Sequence, residues 1–268
     1  MAEGSCHDAW QADDHYEAYM GRWSRQIAPL FLDGLSAEYD LDWLDIGCGT
    51  GALSAAILSQ CNPRSLISID PSESFVAATR AAIPDRRVEF EVGDAQALAL
   101  KTASRDVVVS ALMLNFVPDK QKALTEMKRV ARPSGTIGLY VWDYPGHGVG
   151  FMHAFWNAAA ALDPAALEFN EDKRFPFCTP DGLGELMREA GLVRVDCRSI
   201  EVPTVFTGFE DYWRPFTLGA GPAPGYCASL DPEARQRLKE KLNGSLPRRE
   251  DGSIPLKARA WAIKAAVA

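Results

Sequence analysis

The sequence has 268 residues, 47% of them hydrophobic and 24% charged, with a formal net charge of −8. That length carries one large α/β domain with additions, or two small domains. The acidic balance argues against a nucleic acid held through its phosphates, and no apolar stretch is long enough to span a membrane. Met1 to Trp10 is acidic and polar, unlike a secretory signal. Cys6, Cys48, Cys61, Cys178, Cys197 and Cys227 are scattered without a Cys-x-x-Cys pair. That spread fits reduced thiols in the cytoplasm, with neither a disulfide framework nor a metal site expected.

Residues 11 to 35 read as helical. Tyr16, Tyr19, Met20, Trp23, Ile27, Leu30 and Phe31 recur at three- and four-residue spacing, the mark of an apolar stripe. Gly21-Arg22 interrupts the pattern and Pro29 can bend it. Leu41 to Ile46 reads as a short buried strand, followed by glycines at 47, 49 and 51 and a helix from Ala52 to Leu58. Ser65 to Ile69 is a second strand ending on Asp70, and Glu73 to Ala82 is a helix with Ser72 as its cap. Val88 to Val92 alternates as a third strand ending on Gly93-Asp94. Asp106 to Met113 is a fourth, Asp119 to Val130 an amphipathic helix, and Thr136 to Trp142 a fifth strand. Such alternation gives a doubly wound parallel sheet. Ligands bind such sheets beyond the carboxyl ends of the strands.

Past Trp142 the rhythm changes. Phe151 to Leu162 reads as a helix and Glu168 to Pro180 as an aromatic loop. Asp181 to Ala190 is a helix stopped by Gly191, and Leu192 to Val202 a sixth strand. Phe209 to Phe216 reads as a short helix, followed by a Gly/Pro-rich loop to Gly225. Leu230 to Leu242 is a charged helix, and Ile254 to Ile263 a last strand. The basic runs Lys120 to Arg132 and Arg235 to Arg249 read as solvated helix faces.

The glycine stretch decides the ligand. Glycine lets a backbone turn sharply and approach a ligand closely, and the helix that follows offers unpaired N–H groups. Gly47-Cys48-Gly49-Thr50-Gly51-Ala52 satisfies Gly-x-Gly-x-x-Gly/Ala, and Asp70 sits where a ribose-binding acid belongs, so an NAD-dependent oxidoreductase is one reading. Asp45 and Asp94 pull away from it. A carboxylate two residues before the first glycine repels a pyrophosphate and welcomes a cation. A ligand with a sulfonium, an α-amino group, a ribose and an adenine uses acids at all three sites.

Five motifs stand in order: Leu44-Asp45-Ile46-Gly47-Cys48-Gly49-Thr50-Gly51, Ser68-Ile69-Asp70-Pro71-Ser72, Val92-Gly93-Asp94-Ala95, Asp106-Val107-Val108-Val109-Ser110, and Glu126 to Val130 through Pro133-Ser134-Gly135. With them the chain resembles the class I S-adenosylmethionine-dependent methyltransferases over residues 40 to 142. The resemblance implies a Rossmann-like, doubly wound, seven-stranded α/β sheet, mostly parallel with an antiparallel last strand. It implies one domain over 1–268: a helical lid over 1–40, a cofactor core over 41–142, and inserts at 143–180 and 206–250 covering the substrate. The cofactor implied is S-adenosyl-L-methionine, with S-adenosyl-L-homocysteine as product. Gly47, Cys48 and Gly49 would hold the methionine part, with Asp45 near its amino group. Asp70, with Pro71 and Ser72, would take the ribose. Asp94 and Ala95 would take the adenine, and Ser110 and Ala111 would line the sulfonium end. Tyr19, Arg22 and Trp23 would close over the site, Arg22 against the methionine carboxylate.

Methyl transfer from a sulfonium needs alignment more than acid or base, so a single catalytic residue need not exist. The candidates for a base are His147, His153 and Tyr144. The preferred reading of the two histidines is a solvated loop residue and a partly buried helix residue; His7 and His15 look peripheral. Trp142, Tyr144, Phe151, Phe155, Trp156, Phe177 and Trp213 are candidates for an apolar substrate pocket. The expected partner is a small or medium organic acceptor, with no nucleic acid and no membrane, in a monomer or homodimer. Non-methyl-transfer chemistry on the same cofactor, or a regulatory role, is the alternative.

Overall fold

The computed structural model describes residues 17–219 and 221–268; Cys6, His7, His15 and Tyr16 lie outside them. β1, Asp42–Ile46, is an interior strand of its sheet, in which Trp43, Leu44 and Ile46 are buried almost completely. Around it stand β2 (Ser65–Asp70), β3 (Val88–Val92), β4 (Arg105–Ala111), β5 (Ala131–Trp142), β6 (Val193–Phe206) and β7 (Ile254–Ala266). They form one sheet in the order β3-β2-β1-β4-β5-β7-β6. β1 pairs in parallel with β2 and β4, and β5 pairs with β7 antiparallel. Strand order reverses between β1 and β4, the switch point at which open α/β sheets hold ligands.

The chain divides into two compact units. One comprises residues 24–142, 177–200 and 260–268. Its helices include most of α1 (Arg22–Leu35), α2 (Ala52–Gln60), α3 (Glu73–Ala82) and α4 (Lys120–Val130). α1 buries Ile27, Ala28, Phe31, Leu32 and Leu35 at helical spacing and leaves Leu30 exposed. It runs through Pro29 as a single helix. The Ser72 hydroxyl accepts the Phe75 N–H to start α3, and the Asp119 carboxylate accepts the Lys122 N–H to start α4. Each such cap stabilises a helix by about 1 kcal/mol. At the amino ends of the strands, Asp42 and Asp106 share Arg64 and Arg132.

The other unit comprises the described residues 17–23 with 143–176 and 201–259. Its helices are α5 (Gly150–Leu162), α6 (Glu171–Arg174), α8 (Phe209–Trp213), α9 (Pro222–Ser229) and α10 (Pro232–Ser245); α7 (Pro180–Glu189) belongs with the sheet unit. α5 carries Phe151, Phe155 and Trp156 into an aromatic core, where Phe155 stacks on Phe216 with ring centroids 4.5 Å apart. Such a contact adds about 0.5–1.5 kcal/mol to burial itself.

Three expectations give way here. Glu168 to Pro180 is not a loop throughout: a 3₁₀ turn spans Pro164–Phe169 and α6 follows. Asp163 and Asn170 cap them by accepting the Ala165 and Asp172 N–H groups. The Gly/Pro run before Gly225 holds the start of α9, whose first residue is Pro222; proline loses nothing there, because that N–H has no helical acceptor. Residues 11 to 35 are not one uniform α-helix, since a turn of π-helix over Glu17–Gly21 precedes α1. β6 and β7 also run further than expected, to Phe206 and Ala266.

Candidate active site

β1 ends at Ile46 and the chain turns through three glycines. Gly47, Gly49 and Gly51 adopt φ of +76°, +50° and +81°, a region that side chains enter at a cost. The turn is fastened to β2: the Gly47 and Cys48 N–H groups both donate to the Ile69 carbonyl, at 2.7 and 3.0 Å. A Cβ at Gly47 would lie 2.5 Å from Met113, and one at Gly51 would lie 2.6 Å from Thr79. A Cβ at Gly49 would meet nothing within 4 Å. The turn is therefore walled at both ends and open in the middle. α2 begins there without a side-chain cap.

Two carboxylates stand at the turn and a third follows β3, each in a different environment. Asp70, 7% exposed, accepts the Gly49 N–H at 3.0 Å on one oxygen and the Ser72 N–H at 2.9 Å on the other. Burial raises its pKa, and the two N–H groups oppose the rise. Asp45 is wholly buried and accepts the Ser54 hydroxyl at 2.6 Å. Burial pushes its carboxyl up to about 7; the Ser54 hydroxyl draws it down and the nearby Asp70 charge adds to the rise. Asp94, after β3, is exposed and accepts the Gln96 N–H at 2.8 Å. Ala95 beside it is buried.

Asp45 Oδ1, Ser110 Oγ and both amide atoms of Asn115 are buried without a hydrogen-bond partner. All lie on β1, on β4 or in the 3₁₀ turn Leu114–Phe116 that follows β4. Each unpaired buried polar atom costs about 1–3 kcal/mol. Two of them lie on the strands that flank the switch point and two in the turn just after β4, so the unpaired polar atoms gather at the carboxyl ends of β1 and β4.

Residues 44–139 match the family model of the methyltransferase domain. The demethylmenaquinone methyltransferase of Roseiflexus castenholzii is 34% identical over 167 residues, which cover 59% of this chain and 70% of that one. The chain belongs to the class I S-adenosylmethionine-dependent methyltransferases. The trans-aconitate 2-methyltransferase of Deinococcus radiodurans is 28% identical over 76% of this chain and 77% of its own. The solved phosphoethanolamine N-methyltransferase 2 of Haemonchus contortus, with S-adenosyl-L-methionine, shares the fold at a TM-score of 0.59 and 17% identity, over 99% of this chain and 60% of that one.

The methyltransferase cofactor is thus S-adenosyl-L-methionine, and the residues at the turn suit it. The open space over Gly49 admits a ligand, and the buried acids Asp45 and Asp70 favour a cationic one.

The other residues named from the sequence are divided between the two units of the methyltransferase. Tyr19, Arg22 and Trp23 belong to the aromatic unit. There Tyr19 meets Phe151 and Phe216 edge-on, Trp23 meets Phe206, and Arg22 donates to Asp211 at 2.8 Å while lying over the Trp23 ring. Phe151, Phe155 and Trp156 are almost wholly buried and pack as core. Tyr144 packs on Phe175, and Trp213 stacks with Phe209. Trp142 and Phe177 lie in the sheet unit, the latter under the Lys120 ammonium. His147 and His153 are brought together, ring centroids 4.2 Å apart, with His147 Nδ1 2.9 Å from Asp172 Oδ2. Burial and the neighbouring His147 charge lower the His153 pKa.

Sequence reasoning missed Ser54, Ser68, Asn115 and Asp172. Ser54 and Ser68 lie 2.9 Å apart behind Asp45. Their one visible signal was a hydroxyl on an otherwise apolar stretch of strand or helix. Asp172 lay hidden in the charged run Glu171-Asp172-Lys173-Arg174.

Proposed function

We propose that this methyltransferase transfers the methyl group to a small or medium-sized organic acceptor in the cytoplasm. The observation that carries the reading is the open glycine turn flanked by buried, unpartnered polar atoms on β1 and β4. The small acceptor is supported by the net charge of −8, which disfavours nucleic acid. It is supported also by relatives named for demethylmenaquinone and trans-aconitate.

S-adenosyl-L-methionine supplies, when bound, a methyl group on a cationic sulfur that leaves readily. In our reading, the backbone of Gly47, Cys48 and Gly49 holds the methionine part and Asp45 receives its ammonium. Asp70, with Pro71 and Ser72, holds the ribose hydroxyls, since two carboxylate oxygens suit a vicinal diol. Asp94 and the Ala95 N–H hold the adenine, and Ser110 and Ala111 line the sulfur end. Tyr19, Arg22 and Trp23 are cofactor contacts on the resemblance alone. Holding two reactants aligned supplies most of the acceleration. A base such as His147 or Tyr144 is needed only for an acceptor whose proton has a high pKa.

The test is calorimetry with S-adenosyl-L-methionine, S-adenosyl-L-homocysteine and NAD, followed by mass analysis of products from an acceptor panel. The reading expects the first two to bind, NAD not to bind, and acceptors to gain one methyl group. NAD binding alone would sink it. Turnover without methyl gain would move the protein to other chemistry on the same cofactor.

A further inference from the structure

His147 sits in a turn that is fastened by hydrogen bonds on several sides. Its φ is +53°, a left-handed conformation for a side-chain-bearing residue. Asp143, 1% exposed, holds the turn from beneath: its Oδ1 accepts the Gly146 N–H at 3.0 Å and its Oδ2 accepts Arg259 Nε at 2.7 Å. The Gly148 N–H donates to the Asp143 carbonyl at 2.8 Å, and the Arg259 N–H donates to the Gly148 carbonyl at 2.9 Å. A strained residue persists where its surroundings over-determine it, and such residues cluster at functional sites.

The turn brings His147 against His153 of α5 and Asp172 of α6. One donor atom from each of the three lies within 4.8 Å of the others, the one such His/Cys/Asp/Glu grouping among the described residues. Each donor has its own support. The Asn157 amide lies 2.8 Å from His153 Nε2; turned so that its Oδ1 accepts the Nε2–H, it leaves the Nδ1 lone pair for a metal. Asn170 Oδ1 accepts the Asp172 N–H at 3.0 Å, and its amide donates to Asp172 Oδ2 at 3.3 Å. Groups that orient a metal ligand from behind are a regular part of metal sites. Beside the three donors, Glu171 lines the same small cavity and is 1% exposed; its Oε2 accepts the Trp156 indole N–H at 2.5 Å, and its Oε1 is buried without a partner. An unpaired buried carboxylate oxygen favours a cation nearby.

We propose that His147, His153 and Asp172 form a binding site for a divalent first-row transition metal ion, such as zinc. Two imidazoles and a carboxylate suit that class better than magnesium or calcium, which take oxygen donors. Bonds of about 2.0–2.2 Å set donors roughly 3–3.5 Å apart, so rotation of the half-exposed His147 ring closes the site. Three protein donors leave a coordination position for water or for an oxygen of a small molecule.

The test is titration of the purified full chain with zinc by calorimetry and with cobalt(II) by absorption spectroscopy. The wild type is compared with His147→Asn, His153→Asn and Asp172→Asn, and with His7→Gln/His15→Gln as a control. Asparagine at 147 tolerates the positive φ, and circular dichroism checks that each variant is folded. The expected result is one equivalent bound by the wild type and the control. Each of the other three variants should lose affinity by about 100-fold or more, and Asn157→Ala by about 10-fold. The bound cobalt should show no thiolate charge-transfer band. No binding, equal binding by the His147→Asn and His153→Asn variants, or a thiolate spectrum would overturn the assignment.

Discussion

Asp70 Oδ2 accepts the Gly49 N–H at 3.0 Å, so the acid at the end of β2 holds the middle of the glycine turn after β1. One side chain both shapes the cradle and offers its remaining lone pairs to a ligand. Asp70→Ala is expected to weaken S-adenosyl-L-homocysteine binding by about 1–3 kcal/mol. Calorimetry reads this directly, and unchanged affinity would reject Asp70 as a ligand contact.

The glycines separate folding from binding. Gly49→Ala meets no neighbouring atom and costs only its backbone conformation, about 1–2 kcal/mol. It also places a methyl group in the space over the turn, so cofactor affinity should collapse while the fold survives. Gly47→Ala must in addition displace Met113, so its melting temperature should fall further than that of Gly49→Ala. Equal cofactor affinity in Gly49→Ala and wild type would place the ligand elsewhere.

Asp45 makes stability depend on pH. Its folded pKa, pushed by burial to about 7, stands above the unfolded value of 3.8. Between those values the unfolded chain ionises and the folded one does not. Stability is therefore greatest below about 4 on this account and falls as pH rises toward 7, by a total of about 4 kcal/mol. A cationic ligand favours the ionised form, so cofactor affinity should climb from pH 6 to pH 8 with release of a proton. Denaturant titrations of wild type and Asp45→Asn across that range isolate the Asp45 share, because buried Glu171, also raised to about 7, contributes to both. Parallel curves for the two proteins would show that Asp45 does not titrate there.

Asp42 acts in the opposite sense. The Arg64 guanidinium, with Ser65 and Arg132, holds its carboxyl well below the usual carboxylate range. The stability this gives is fully present above the unfolded value, declines below it, and is lost as pH falls through the folded one. Arg132→Gln should flatten the acid limb of the stability curve, read by urea titration below pH 5.

Arg259 neutralises a carboxylate that is 1% exposed. Arg259→Met is expected to destabilise the protein by about 2–4 kcal/mol, because Asp143 would remain buried with only N–H donors. Chemical denaturation measures it. A loss below 0.5 kcal/mol, on the order of a surface substitution, would mean that the turn does not depend on the pair.

What could be read from the chain was local. The strand, glycine turn and helix from Trp43 to Gln60 each carry their signal within a few residues, and the caps Ser72 and Asp119 stand beside the helices they start. Pro222 misled because a proline reads as a breaker while the first turn of a helix accepts it. The long-range pairs were invisible: Arg259 follows Asp143 by 116 residues, and Asp211 follows Arg22 by 189. Nothing in the spacing of His147, His153 and Asp172 announces that a turn and two helices bring them together.

The place of β7 between β5 and β6 sets an order of assembly. A ribosome delivers β6 about fifty residues before β7 (Ile254–Ala266), yet β7 is the one strand β6 neighbours in the sheet, so β6 has no native partner until β7 is made. The sheet is therefore completed only with its last strand, through contacts far apart in sequence, which slows folding. Until then β6 is a bare edge exposed to other chains. The same strand brings Arg259, so the turn that aims His147 gains its anchor in the same late event.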